Sequence, residues 1–127
     1  MAIYFLGDLH LSASRPWRLP AGDAFLKWFA DLQVDPDSTF ISLGDLSDDS
    51  VNPGEVVKQL KVFGDIISRK FKQSYILVGN HDLKMYKDKP QLAFEFLGLS
   101  PNIKILREPA EILTVEGVTI LSMPHYN

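Results

Sequence analysis

The sequence predicts an α/β fold, a mostly parallel sheet flanked by helices with a β-hairpin late in the chain. Three observations carry that reading. Short apolar runs ending in glycine or a turn residue recur at 2–6, 39–43 and 75–78, the form taken by buried parallel strands. Two stretches of helical apolar spacing lie between them, and strands alternating with helices build parallel sheets through crossovers. The tail then changes to three strands in quick succession, the last two joined by a tight turn. A chain of 127 residues suits one core, so a single domain over 1–127 is expected.

Taken in order, AIYFL at 2–6 is the first strand. Phe25, Trp28, Phe29 and Leu32 mark one apolar stripe, hence a first helix. TFISL at 39–43 is the second strand. The second helix carries explicit start signals: Asn52 as cap, Pro53 at the first helical position and Glu55 three residues after the cap. Val56, Leu60, Phe63 and Ile67 then share its apolar face. YILV at 75–78 is the third strand. Lys84, Tyr86, Lys87 and Lys89 read as a polar, solvated loop. After them Pro90 opens a short third helix through Leu92, Phe96 and Leu97, closed by Gly98. Ile103–Leu106, Glu111–Val115 and Val118–Ser122 are strands, with Glu116-Gly117 as the hairpin turn.

Composition narrows the chemistry. Apolar residues make up 46% and charged residues 23% of the chain, ordinary for a folded protein and unlike a disordered one. There is no cysteine, so disulfides, thiolate metal sites and cysteine nucleophiles are excluded, and any metal must be held by oxygen or imidazole. The N-terminal MAIYFLGDLH has no basic region before its apolar run, and no apolar stretch reaches spanning length. Neither signal peptide nor membrane span is expected, and a cytoplasmic location is the default. The net charge of -3 offers no overall electrostatic footprint for non-specific binding of nucleic acid.

The chemistry gathers where the first three strands end. There the chain reads Gly7-Asp8-Leu9-His10, Gly44-Asp45-Leu46-Ser47-Asp48 and Gly79-Asn80-His81-Asp82. In parallel sheets the carboxyl ends of neighbouring strands share one edge, so Asp8, His10, Asp45, Asn80 and His81 are expected to converge. The glycines are expected to turn the chain sharply out of the sheet. Asp8 and His10, two apart in an extended segment, should point the same way and grip one ion, while the two oxygens of Asp45 can bridge two. Mixed oxygen and imidazole donors suit manganese, iron or zinc. Two such ions generate hydroxide near neutral pH and clamp the attacking and leaving oxygens of a phosphoryl displacement. Each motif alone has a plainer explanation, because Gly-Asp after a strand often caps a helix and Asn-His-Asp can be a hydrogen-bonded turn. Their recurrence at three successive strand ends favours the metal site. A dinucleotide fold is excluded, since no G-x-G-x-x-G follows the first strand.

In this order and on these strands, GDLH, GDLSD and GNHD resemble the first three motifs of the calcineurin-like metallophosphoesterases. The resemblance implies the N-terminal half of an αββα sandwich and a phosphoester substrate hydrolysed with two divalent ions, manganese foremost, with iron or zinc as alternatives. It implies that Asp8 and His10 hold one metal, Asp45 bridges, Asn80 holds the second, His81 assists the leaving group and Asp82 orients His81. The tail, with Leu106-Arg107-Glu108-Pro109 and Leu121-Ser122-Met123-Pro124-His125-Tyr126, is similar to the branch of DNA-repair and recombination exonucleases, which implies DNA as the substrate. The family's later His motifs have no counterpart here, and His125 reads as a loop histidine. The 127 residues are therefore expected to be the N-terminal portion of a longer phosphoesterase or a truncated relative, with a weakened second metal site and self-association through an exposed sheet edge. The competing expectation is a non-catalytic binding or assembly module on the same scaffold.

Overall fold

A computed structural model of the chain describes residues 2–47, 54–78, 83–86, 89–92, 94–107 and 111–123. The elements run β1 (Ile3–Leu6), α1 (Arg18–Asp31), β2 (Thr39–Ser42), α2 (Gly54–Lys70), β3 (Gln73–Leu77), β4 (Leu83–Tyr86) and β5 (Lys89–Leu92). A 3-10 helix (Glu95–Leu99), β6 (Ile103–Leu106), β7 (Glu111–Val115) and β8 (Val118–Ser122) follow. Four strands form a parallel sheet in the order β1-β2-β3-β6. Leu6 pairs with Ser42, and Ser42 with Ile76, so the carboxyl ends of the first three strands lie level along one edge.

Alternation along each strand separates two faces. Tyr4, Leu6, Phe40, Ile76, Val78, Ile103 and Ile105 join the main core beneath the helices. There α2 contributes Val56, Leu60, Phe63 and Ile67, each fully buried as its stripe predicts, and α1 contributes Leu26 and Phe29. Phe29, Phe40, Phe63 and Phe71 pack as one aromatic group, with ring centroids between 5.0 and 6.2 Å apart. On the opposite face β7 and β8 form a separate two-stranded sheet. Their Leu113, Val115 and Ile120 pack with Leu106, Ile3, Tyr75 and Leu77. The layers thus run helices, parallel sheet, hairpin, in keeping with the expected α/β fold. Phe5, on the hairpin face of β1, remains 57% exposed.

Two expectations need correction. Residues 83–86 and 89–92, read as a polar loop leading into a helix at Pro90, pair as antiparallel strands with Met85 opposite Pro90 and Leu83 opposite Leu92 in register. Proline biases its preceding residue to extended backbone, and both strands of an isolated ribbon are edges that tolerate its missing N–H. The helix that follows is short and 3-10, with buried Phe94 and Leu97 three residues apart as that geometry requires. Gly98 lies inside it, where an added Cβ would come within 3.3 Å of Ile105. The second correction concerns α1, whose buried line is Gly22, Leu26 and Phe29, while Trp28 is 58% exposed. Gly22 sits against the Gln59 amide of α2, and that contact rotates Trp28 to the margin.

The rest matches closely. The Glu116-Gly117 turn has φ of 50° and 76°, the double positive φ of a type I′ hairpin. Glu55 stands in the first turn of α2 and Arg69 and Lys70 in its last, complementing the helix dipole. Lys70 Nζ also donates to the carbonyls of Ala30 and Leu32, tying α2 to the end of α1. The proposed cap Asn52 and Pro53 lie outside the described residues.

Candidate metal centre

The loops leaving β1 and β2 stay in register beyond the sheet. Leu43 N–H donates to Leu6 O at 2.9 Å, His10 N–H to Asp45 O at 2.9 Å and Leu11 N–H to Leu46 O at 2.8 Å. A further bridge pairs Leu11 with Ser47. Leu11 and Leu46, 3% and 0% exposed, anchor this extension in the core. The residues between them therefore cannot move independently.

Asp8, His10 and Asp45 converge on this frame, each offering one ligand atom within 4.8 Å of the others. His10 Nε2 lies 3.7 Å from Asp8 Oδ2 and 4.0 Å from Asp45 Oδ2. For donors about 2.1 Å from one ion in tetrahedral array the donor–donor edge is about 3.4 Å, so the three side chains lie near one another but must draw closer together to share an ion. Two carboxylates and an imidazole form a hard to borderline donor set, suited to a divalent first-row metal. The side chains grade from open to enclosed, at 57% for Asp8, 33% for His10 and 15% for Asp45. An ion held here would face solvent on the Asp8 side.

The local reason for convergence differs from the sequence expectation. His10 and Asp45 both have φ of 50°, a left-handed conformation that costs a non-glycine residue about 1–3 kcal/mol. The chain turns at His10, so Asp8 and His10 meet around a bend rather than along an extended segment. Their strained backbones are tied together by the His10 N–H to Asp45 O bond. Gly44, at φ 104°, is needed for the turn. Gly7 shows no positive φ, and an added Cβ there would meet nothing within 4 Å, so it is not needed. Asp48, Asn80, His81, Asp82 and His125 lie outside the described residues.

Two residues escaped the motif reading. Trp17 and Arg18 help line a cavity of about 280 Å³ shared with Asp8 and His10. The signal in the sequence was slight, an aromatic–basic pair in Ser14-Arg15-Pro16-Trp17-Arg18, just where α1 begins.

The carboxylate–imidazole cluster lies at the strand ends of a helix-covered parallel sheet, the edge where such folds bind their ligands, and could hold a divalent ion. The family model for calcineurin-like phosphoesterase matches residues 1–126, and the chain belongs to that family. It is thereby placed among metallophosphoesterases, a hydrolase class that uses divalent metals. No curated protein matches the sequence. Among solved structures, the phosphopantetheinyl hydrolase of Mycobacterium tuberculosis aligns at 19% identity and a TM-score of 0.50, over 98% of this chain and 42% of that one. A protein of unknown function from Aquifex aeolicus aligns at 21% identity and a TM-score of 0.52, over 99% of this chain and 61% of that one. At these identities the likeness is one of fold. The chain spans less than two thirds of either structure. None of the described helices is long and apolar enough to cross a membrane.

Proposed function

We propose that this chain supplies the metal-binding residues of a phosphodiesterase active site, acting on phosphodiesters of the kind found in DNA ends. The observation that supports it most is the meeting of Asp8, His10 and Asp45 on two loops stitched together by backbone hydrogen bonds. A helix-capping turn would need none of the three to face the others. Divalent metal, when bound, supplies Lewis acidity toward a phosphoryl oxygen and lowers the pKa of water. Manganese is the ion proposed, with zinc and iron as alternatives.

The chain's own residues divide the remaining work. Asp8 and His10 hold one ion on the β1 side. Asp45, the least exposed of the three, has a second carboxylate oxygen to present to a neighbouring ion. Asn80, which follows Val78 by two positions, supplies a carbonyl oxygen for that second ion. His81 keeps a proton for the departing oxygen, and Asp82 steadies the imidazole.

The test pairs calorimetric titration with manganese and zinc against turnover of bis(p-nitrophenyl) phosphate and p-nitrophenyl phosphate. Saturable binding, faster hydrolysis of the diester and a loss of metal affinity of at least about tenfold in Asp45→Asn are expected. No binding of either metal, with an unchanged melting temperature on adding them, would overturn the proposal.

A further inference from the structure

The cavity beside the metal triad has a wall that metal binding does not explain. Its lining joins Asp8 and His10 to Trp17, Arg18 and Phe25, together with buried Leu11 and Gly22. Trp17 is 63% exposed, although a large indole left in water forfeits much of its burial free energy. The Arg18 guanidinium lies 5.4 Å from the centroid of that ring. This cation–π contact holds the indole from one side and adds positive charge to the wall. With about 280 Å³, the cavity falls just short of the about 300 Å³ at which clefts for whole small ligands begin. It is large enough for one planar ring.

From this geometry we infer that Trp17 forms a substrate subsite, stacking an aromatic heterocycle attached next to the scissile phosphate. Arg18 is a positioning residue that fixes the indole. The inference rests on the phosphodiesterase reading for the placement of the phosphate, and it adds the substrate class, a nucleoside phosphodiester entered one nucleotide at a time. A polynucleotide duplex is not required, in keeping with the net charge of -3.

The experiment uses the Trp28→Phe protein, in which Trp17 is the sole tryptophan because the chain has two. After chelation of metal, adenosine 5′-monophosphate should quench the indole fluorescence saturably, and methyl phosphate should not. With metal restored, thymidine 5′-(p-nitrophenyl phosphate) is compared with methyl p-nitrophenyl phosphate. Trp17→Ala should lower the preference for the thymidyl ester about tenfold through KM, within the range found for one base on one aromatic ring. Trp17→Phe should retain most of that preference. Arg18→Ala should weaken nucleotide quenching, and Arg18→Lys should restore part of it. Equal losses on both esters, or no quenching by the nucleotide, would overturn the subsite. If neither ester is hydrolysed, the phosphodiesterase reading falls, and the metal-free quenching titration still decides the subsite.

Discussion

Replacing Gly22 by alanine tests how α1 is seated beside the metal loops, because two opposing effects can be weighed. In an exposed helix, glycine to alanine stabilises by about 1 kcal/mol. Here an added Cβ would stand 2.8 Å from Gln59 Nε2, 3.0 Å from Gln59 Oε1 and 3.0 Å from Leu11 Cδ2. The Gln59 amide would have to move. It is held by hydrogen bonds from Nε2 to Leu19 O at 2.8 Å and to Asp23 Oδ1 at 3.0 Å, and the residue is only 5% exposed. Each lost bond costs about 1 kcal/mol, and a buried amide left without partners about 1 more. The clash outweighs propensity, leaving a net destabilisation of about 2 kcal/mol, or about 8 °C in melting temperature for a chain of this size. The assay is urea and thermal unfolding followed by circular dichroism, in a double-mutant cycle with Gln59→Ala. In the Gln59→Ala background Gly22→Ala should be neutral or slightly stabilising. An equal loss in both backgrounds would refute the reasoning, since the obstacle would then not be the amide.

Other expectations are checked with the same unfolding measurements. Phe40→Ala empties the centre of the aromatic group and should cost about 4 kcal/mol, with Phe40→Leu costing much less. Gly44→Ala, at φ 104°, should cost about 1–2 kcal/mol; because Asp45 follows it, manganese affinity measured by calorimetry should fall as well. Glu116→Asn at φ 50° should stabilise the hairpin by about 0.5 kcal/mol, because asparagine accepts the left-handed conformation more readily.

Much of the site was legible from short spacings. Gly-Asp after each of two strands and the His two residues beyond Asp8 were enough to pick out Asp8, His10 and Asp45. Parallel pairing then implied that they meet, and the register of Leu6 with Ser42 shows that it does so. The bend at His10 was not legible. Its left-handed backbone is held by the carbonyl of Asp45, a partner supplied by another loop. Nor could the sequence assign residues 83–92, because a proline that opens a helix and a proline on a ribbon edge look alike without their neighbours.

Local sequence was enough for the parallel α/β order, the inward face of α2, the hairpin turn at Glu116-Gly117 and the donor types of the candidate metal cluster. These depend on periodicity, turn chemistry and the side chains present, all of which act over a few residues. Tertiary structure decided which face of α1 is buried, that the hairpin covers the far side of the sheet, and that Trp17 stands beside Asp8 and His10. Those outcomes follow from contacts between segments distant in the chain, such as Gly22 against Gln59 and Leu106 with Leu113. No local pattern encodes them, because each exists only once both partners have been packed.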